Sequence, residues 1–345
     1  MSLEITLYTK TATKQKLIKL LRENKYEKVN HIIESMNDEN NLHYMWYGTE
    51  NYESFVGVEV TLVRVSKSHQ KEFNCSEWIL HTRTRSSGSR IDKKRQNELV
   101  REARRLFGGS FYNDWYGTNR YTNLDEYENL SASERGLFLM YENLSDKLKG
   151  IRHCIENYEN PISNALTNLG SDAHSEILKM QDPSIVLYNS VVPFSVSLIE
   201  YFFSQTFKIM IKYDQKSQKL IEEENIKIPL KDAISIKNGD MSIEDIISRN
   251  INFQNLQQVN KAFNKYLDID IYKILSKRKK IDKSIVRLKD KVEEIILSRH
   301  LVIHQFSFDY SITKKEVIVM LLAIEISVRE VIEKIENVKD WKIRL

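Results

Sequence analysis

Residues 55–66, FVGVEVTLVRVS, alternate apolar and polar side chains, and this period of two is that of a half-buried β-strand. A second candidate strand follows at residues 78–84, WILHTRT, before a flexible loop, SSGS (86–89). Residues 12–36 and 92–107 have helical spacing, and the second of these helices should end at Gly108–Gly109. The mixture predicts a compact α+β domain over residues 1–130.

From about residue 130 the apolar period becomes helical. Residues 195–211, SVSLIEYFFSQTFKIMI, form a strongly apolar candidate helix whose entry is bracketed by Pro183 and Pro193. A long helix is predicted over 270–299, with a stripe of Ile281, Ile285, Leu288, Val292 and Ile295. Ser242, with Asp245 three residues on, should cap a helix start, and Thr313 should cap a final helix that runs to about residue 336. We therefore expect a helical linker region over 131–184 and an all-α helical bundle over 185–345.

Composition limits the class of protein. The chain has 345 residues, 41% of them hydrophobic and 29% charged, with a net charge of +4, which is typical of a soluble globular protein with about two domains. The longest apolar run, Val317–Ile326, is interrupted by Glu325, and the start MSLEITLYTK lacks the order of a signal peptide. Cys75 and Cys154 have no metal-ligand spacing. We expect a reduced, cytoplasmic protein with no membrane span.

Metal and phosphate-loop chemistry is not indicated. The acidic and histidine positions that come closest to a ligand set lack ordered spacing, and no glycine-rich loop follows a strand. These positions are His174, Asp268, Asp270 and the run Glu222–Glu224. A Ser- or Cys-based triad stays open, although nothing in the sequence points to one. The expectation is a protein without a metal or cofactor.

The string SRHLVIHQ (298–305) combines two side chains that metal-free RNA cleavage needs. Histidine can move protons near neutral pH, and the arginine fork can stabilise charge on a phosphate. Arg299 and His304 are five residues apart, so a helix that ends or bends between them would bring both to one pocket. The spacing alone has little specificity, because Arg64 and His69 share it at the end of a predicted strand.

The context of this string is more specific than its spacing. RHLVIH resembles the signature of the HEPN superfamily, in which Arg is followed by Asn, His or Asp, then three to five residues, then His; here His300 fills the polar second position. The apolar helix 195–211 and the segment SIEDIISRNINFQNLQQVNKAF (242–263) also look like parts of HEPN proteins of the bacterial defence and toxin type. The resemblance covers about residues 185–338 and does not extend to residues 1–130.

The resemblance implies a specific activity. HEPN ribonucleases use Arg and His from two protomers that meet across a two-fold interface, need no metal, and leave a 2',3'-cyclic phosphate and a 5'-hydroxyl. By this likeness Arg299 would steady the phosphate, His304 would transfer protons, and His300 would orient the site or hold the scissile phosphate. The partners implied are RNA, a second copy in a homodimer or higher homo-oligomer, and a phage or host protein that triggers an abortive-infection effector or toxin.

A second candidate site is the basic segment 83–105. It contains nine cations against Asp92, Glu98 and Glu102, and Tyr112, Trp115, Tyr116 and Tyr121 follow it. Phosphate neutralisation beside stacking aromatics favours nucleic-acid binding, although a solvated helix face next to aromatic core residues explains the pattern as well. The nine cations are Arg83, Arg85, Arg90, Lys93, Lys94, Arg95, Arg101, Arg104 and Arg105.

Two other functions remain open at this point. The helical domain could be a non-catalytic HEPN-like module for dimerisation or nucleic-acid binding in a defence or regulatory complex, with Arg299 and His304 as a helix C-cap cation and a core histidine. The basic segment could belong to a DNA-binding regulator. Glu200, within the apolar helix, is expected at a solvent-exposed edge, and Arg299 is the partner it would need if it were buried.

Overall fold

The computed structural model describes residues 2–30, 41–159, 182–224, 226–305, 307–341 and 343. The chain divides into two compact units, Met1–Arg135 and Gly136–Leu345. Positions 31–36 of the first predicted helix and 160–181 of the predicted linker lie outside the described residues. The coarse order predicted from the sequence, a sheet region followed by a helical region, is confirmed.

The first unit contains a seven-stranded antiparallel sheet. The predicted strands at 55–66 and 78–84 are confirmed as β4 and β5. The elements in chain order are β1 (Ser2–Tyr8), α1 (Lys14–Glu23), β2 (Glu27–Val29), β3 (Asn41–Trp46), β4 (Val58–Arg64), α2 (Lys67–Glu72), β5 (Trp78–Arg85), α3 (Arg90–Phe107), β6 (Ser110–Asn113) and β7 (Gly117–Thr118).

The sheet order is β2-β3-β4-β5-β1-β6-β7. Its central strands, β4-β5-β1-β6, alternate with α1 and α3 along the chain as in the split β-α-β arrangement of ferredoxin-like folds. Leu3, Ile5 and Leu7 of β1 are fully buried in one core with the apolar faces of α1 and α3, whereas the alternate residues of β1 are only half-buried. The two faces of the sheet therefore differ: one packs on helices and the other is polar.

Two local predictions in this unit were wrong. The first helix ends at Glu23, and after Lys25 adopts a left-handed backbone (φ 60°) the chain enters β2, so Val29 is in a strand. The loop 86–89 is not loose, because Ser89 caps α3 and Asp92 reciprocates in a capping box. The predicted end of α3 is confirmed. Gly109 has φ 109°, and a Cβ there would lie 2.0 Å from the carbonyl oxygen of Tyr8.

The second unit is built mainly from helices. The caps predicted at Ser242 and Thr313 are both confirmed as capping boxes. The elements are α4 (Ala132–Asn157), α5 (Pro183–Tyr213), α6 (Gln215–Glu223), α7 (Leu230–Asn238), α8 (Ile243–Arg249), α9 (Leu256–Leu267), α10 (Ile271–Leu275), β8 (Arg278–Ile281), β9 (Ser284–Arg287), α11 (Leu288–Gln305) and α12 (Lys314–Lys339).

Helix α5 is the centre of this unit and packs against α8, α9, α11 and α12. It begins at Pro183 rather than after Pro193, so Pro193 lies inside the helix and leaves the carbonyl of Asn189 without its helical donor. By length and mean hydropathy (1.4) α5 would be long enough to cross a membrane, but 56% of its most apolar window is buried inside the unit. That burial is consistent with the core helix of a soluble protein.

The prediction of one helix over 270–299 was wrong. Residues 278–287 form a two-stranded β-hairpin whose turn places Asp282 in a left-handed conformation (φ 54°). Ile281 is buried while Ile285 is 73% exposed, so the two residues do not share a face. Their spacing of four matches a helical stripe by coincidence, because positions 281 and 285 lie in two different strands of the hairpin. The helical second unit therefore also contains one short β-hairpin.

Candidate functional site

The Arg-His string lies entirely within α11, which continues to Gln305. Leu288, Val292 and Ile295 form the buried stripe of this helix, and Arg299 is the next residue in the same stripe. Arg299 is half-buried, whereas His300 and His304 are exposed. The helix neither ends nor bends between Arg299 and His304, so the two side chains leave it about 140° apart, at ~100° per residue. An uninterrupted α11 therefore does not bring both side chains of one chain to one pocket.

His300 and His304 form a pair on the exposed side of α11. Their ring centroids are 4.7 Å apart with an angle of 45° between the planes, as their separation of one turn allows. Apart from this ring contact, neither imidazole has a hydrogen bond or ion pair among the described residues. Two solvent-facing imidazoles can give or take a proton from a bound molecule. The structure thus brings His300 and His304 together and separates Arg299 from His304.

Arg299 has an unusual environment for its place in the helix. It occupies a core-stripe position, yet within the described part of the chain its guanidinium makes no hydrogen bond or ion pair. Glu200, the partner considered from the sequence, is half-buried and accepts instead from the Gln254 amide, with Nε2 2.7 Å from Oε2. A half-buried guanidinium without a carboxylate is a site at which an anion would be favoured.

Apolar side chains surround the two histidines. Leu297 is 63% exposed, and Leu301 and Ile303 are each 41% exposed on the same half of α11. Three large aliphatic side chains facing solvent beside an Arg-His string are typical of a surface that contacts another molecule. The exposed half of α11 therefore combines ionisable and apolar groups.

A cleft of about 280 Å³ opens beside the exposed half of α11 and has Leu301 in its lining. It lies among α5, α11, α12 and the loop 307–312, and its lining includes Ile295, Ser298 and Val302 of α11. Arg299, His300 and His304 are not part of its lining. The three residues of the string consequently lie outside the cleft of their own unit.

Asn189 fixes the loop that follows the Arg-His string, and the sequence reading missed it. Its side chain is buried; it donates to the carbonyl of Asp309 (3.0 Å) and accepts from the amide of Asp309 (2.9 Å). It also donates to the carbonyl of Ile185 at 2.8 Å. The signal was present, since a buried amide within an apolar helix needs partners outside the regular helical ladder.

The nine cations of segment 83–105 do not form one surface. Lys93 is fully buried and donates to the carbonyls of Ser86 and Gly88, so its prediction as a surface contact for nucleic acid was wrong. Its ammonium also lies 4.2 Å from the ring centroid of Tyr127. The residue closes the loop 86–89 onto α3, which explains why that loop is ordered.

Other cations of the set are engaged by neighbours. Arg83 projects from β5 between Glu4 and Glu59, at 3.6 Å from each carboxylate. Arg95 lies over the rings of Trp46 and Tyr26. In the same way Arg90 pairs with Asp125, and Arg104 donates to the carbonyl of Gly109 and lies over Phe111. These four cations already have partners within the unit.

Four cations of the set remain exposed. Arg85 is at the end of β5, while Lys94, Arg101 and Arg105 share one side of α3 at intervals of seven and four residues. Glu98 lies between them and pairs with Lys94 at 3.8 Å. Arg101 also lies over the ring of Tyr121 at 4.9 Å. The exposed stripe on α3 is thus a weaker basic surface than the sequence suggested.

The aromatic residues that follow are distributed over different environments. Tyr112 and Trp115 are 51% and 46% exposed, and the Trp115 indole donates to the carbonyl of Ser2 at 3.0 Å. The Tyr116 hydroxyl donates to Glu126 at 2.5 Å. The second Arg-His match lies elsewhere in the same unit, where Arg64 pairs with Glu77 and His69 is in α2.

The polar face of the sheet carries a second histidine group that the sequence reading did not single out. His81 of β5 lies 2.9 Å from the Thr6 hydroxyl, and His43 of β3 lies 3.1 Å from the Thr61 hydroxyl. Burial lowers the pKa of His81, although the Glu4 carboxylate opposes this effect. The alternation in WILHTRT was the available signal, because it places His81 and Arg83 on one face.

Metal ligands are not grouped in the described residues: no cluster of three His, Cys, Asp or Glu side chains could hold an ion there. His174 lies outside the described residues. Comparison of the chain with protein-family models, with curated proteins and with solved structures found no match.

Proposed function

We propose that the chain is a metal-independent endoribonuclease whose helical unit is HEPN-like and whose active site is completed by a second copy. The observation that carries the proposal is the position of Arg299. It continues the buried stripe of α11 without any partner among the described residues, one residue before an exposed pair of histidines. A phosphate diester at this end of α11 would supply the missing anion.

The chemistry requires one base, one acid and one cation. A neutral imidazole takes the proton of the 2'-hydroxyl, O2' bonds to phosphorus, and the bond from phosphorus to O5' breaks. A protonated imidazole gives its proton to O5', so the products are a 2',3'-cyclic phosphate and a 5'-hydroxyl. His304 is proposed for proton transfer, His300 for orienting the site or holding the phosphate, and Arg299 for stabilising the charge on its oxygens.

The need for two copies follows from the geometry of α11. Arg299 and His304 diverge by about 140° around one helix, and a two-fold axis would place Arg299 of one protomer near His304 of its partner. Leu297 lies near His304 around the helix and Ile303 lies one turn after Arg299, so these two residues supply exposed apolar area on both sides of the interface. By its likeness to defence and toxin ribonucleases, the enzyme would be a cytoplasmic abortive-infection effector or toxin, restrained until a phage or host protein triggers it.

The test is cleavage of RNA by the purified chain in EDTA, with product ends identified. Arg299→Ala and His304→Ala should each reduce the rate by about 10²–10³-fold or more. Arg329→Ala and His153→Ala are matched controls on exposed positions of the same unit and should leave the rate unchanged. Loss of cleavage in EDTA, or full activity of both α11 variants, contradicts the mechanism.

Mixing the two inactive variants tests the composite site. If Arg and His come from different protomers, a heterodimer of Arg299→Ala and His304→Ala contains one intact site. Random exchange would then restore about a quarter of the sites, since half of the dimers are mixed and each has one of two sites intact. No recovery after verified exchange would show that the site is not shared.

A second candidate is a binding module without catalysis, and the exposed apolar side chains around His300 favour it. A binding module would form a dimer and bind RNA without cutting it. In that case His304→Ala would change the dimerisation or RNA affinity but no cleavage rate. The weaker reading as a DNA-binding regulator rests on Lys94, Arg101 and Arg105. Gel shifts with single-stranded RNA, single-stranded DNA and duplex DNA at two salt concentrations separate these functions.

A further inference from the structure

The β8–β9 hairpin is fixed to the helical unit through its inner face. Ile281 is buried, and Lys277 and Lys279 both form ion pairs with Glu330 of α12, whose side chain is almost fully buried. Burial alone would raise the pKa of Glu330, but the hydrogen bonds and charges of the two lysines outweigh it, so the pKa lies below its usual range. The hairpin is therefore held in one orientation.

The outer face of the hairpin presents cations to solvent. Arg278 and Lys280 of β8 lie opposite Arg287 and Ile285 of β9, respectively, and all four side chains are exposed. The side chains of Arg278 and Lys280 have no hydrogen bond or ion pair among the described residues, and the side chain of Arg287 has only the exposed Asp290 at 3.9 Å.

The pairing of Arg278 with Arg287 is unfavourable by itself. Like charges directly opposite one another on antiparallel strands destabilise a hairpin. The cost disappears when an anion lies between the two guanidinium groups, and neither of the two arginines has a buried carboxylate to serve that purpose. The arrangement is thus typical of a surface that is complete only when a polyanion is bound.

The distribution of charge selects the class of ligand. Arg278 and Lys280 are two residues apart, or about 6.6 Å along a strand, so together with Arg287 they offer a row of cations to successive phosphates of one nucleic-acid strand. Ile285, 73% exposed between the cations, offers an apolar contact for a base or ribose. One exposed aliphatic side chain is too little to insert into a lipid surface, which favours nucleic acid over a membrane.

We propose that the outer face of the β8–β9 hairpin binds the phosphate backbone of RNA, a proposal that takes the identity of the nucleic acid from the proposed ribonuclease function. Helix α11 begins directly after β9, so a rigid helix separates Arg287 from Arg299 by ~18 Å, at ~1.5 Å per residue. The hairpin holds the substrate strand a few nucleotides from the cleaved bond.

The test measures binding of a fluorescent, mixed-sequence single-stranded RNA to the full chain carrying His304→Ala, which prevents cleavage. The triple variant is Arg278→Glu, Lys280→Glu, Arg287→Glu. It replaces the two opposed positive charges at positions 278 and 287 with two opposed negative charges. The repulsion across the strands is therefore kept, and no new attraction changes the stability of the hairpin. The control is Lys227→Glu, Lys231→Glu, Lys237→Glu, which reverses three exposed cations in or beside α7 and changes the net charge equally.

The hairpin variant should bind RNA at least tenfold more weakly, and the slope of log affinity against log salt should become shallower by about 2, at ~0.7 per lost phosphate contact. The control should change affinity less than threefold. An equal loss of RNA affinity in both variants, or no loss in the hairpin variant, overturns the proposal. It is also overturned if the hairpin substitutions weaken binding to phosphatidylserine vesicles and leave RNA affinity unchanged. If the wild-type chain binds RNA through the hairpin but cuts none, the ribonuclease proposal fails and this one stands.

Discussion

Two basic segments of this chain present their charge in different ways. Segment 83–105 has nine cations, yet Lys93 is buried, Arg83 lies between two glutamates and Arg95 covers aromatic rings. The hairpin at 278–287 has fewer cations, but those of its outer face have no partner or only a weak one. The sign and number of charges in a segment thus do not determine the charge that the folded surface offers.

The difference follows from the two backbone periods. A helix that packs on a sheet must bury one side of its 3.6-residue repeat. In α3 this buried side includes Lys93, whose ammonium donates hydrogen bonds to backbone carbonyls. A short hairpin has a period of two, so alternate residues all face outward. The hairpin therefore directs Arg278, Lys280 and Arg287 to solvent while Lys279 faces Glu330, and α3 exposes only part of its larger set.

The largest effect is expected when the basic surfaces of α3 and of the hairpin are compared directly in RNA binding. Lys94→Glu, Arg101→Glu, Arg105→Glu reverses the exposed stripe of α3, and the hairpin variant reverses an equal number of charges. We expect the α3 variant to lose less than threefold in affinity, against at least tenfold for the hairpin, because Glu98 already neutralises part of the α3 stripe. Anisotropy titrations at two salt concentrations measure both. An α3 loss equal to that of the hairpin would remove the distinction.

The second expected effect concerns the stability of the first unit. Lys93→Met keeps the apolar length of the side chain but removes the donor to the carbonyls of Ser86 and Gly88, so the free energy of unfolding should fall by about 2–3 kcal/mol. The exposed neighbour Lys94→Met should change it by less than ~0.5 kcal/mol. Hydrogen exchange of the β5–α3 amides checks this, since it reports on that unit alone. Similar values for the two variants would mean that the ammonium is not needed there.

The same lysine gives a pH test with a defined sign. Burial lowers the pKa of Lys93 from 10.5 to about 8, and Asp92 only partly opposes this. The unfolded chain then binds more protons than the folded chain between pH 8 and 10.5, so the free energy of unfolding rises with pH in that window. The stability difference between wild type and Lys93→Met should widen from pH 8 to 10 and stay constant below 8. A difference that narrows with rising pH would contradict the burial of a charged lysine.

A smaller effect is expected where the hairpin joins α12. Glu330→Gln removes the carboxylate that holds Lys277 and Lys279, and we expect a loss of about 1–2 kcal/mol, since both lysines are partly exposed and regain water. The wild-type contribution should be lost as pH falls below about 4.5, the ordinary value for this carboxyl, because its folded pKa is depressed. Exposed Glu333→Gln is the control. Hydrogen exchange in β8 and β9 follows the change.

Sequence patterns predicted the parts of this fold that depend on neighbours along the chain. The period of two in β4, the caps at Ser242 and Thr313, and the end of α3 at Gly108 all result from local backbone preferences. The stripe through Ile281 and Ile285 failed, because the two residues lie in different strands of a hairpin and on its opposite faces, although their spacing of four matches a helix. Period alone could not distinguish the two, and the decisive contacts with Glu330 are distant in sequence.

The candidate site was predicted as a set of residues but not as a geometry. The string gave Arg299, His300 and His304, but their angular separation depends on whether α11 continues through them, and that is decided by packing of α11 on α5 and by the loop that Asn189 fixes. Burial of Lys93 was equally invisible, because it depends on carbonyls brought together by the loop 86–89. Long-range contacts, not propensity, decided both outcomes.

The smallest expected effect would sharpen the contrast between the two segments by separating stability from binding. Arg278→Glu replaces a like-charge pair across the hairpin with an attractive pair to Arg287, so the free energy of unfolding should rise by about 0.2–1 kcal/mol while RNA affinity falls. Arg278→Gln removes only the repulsion and should give a smaller gain. Thermal unfolding at low and high salt measures both, and the gain should shrink as salt screens the pair. A variant that loses stability together with affinity would show that Arg278 supports the hairpin itself, and the opposed arginines would then have no need of a bound anion.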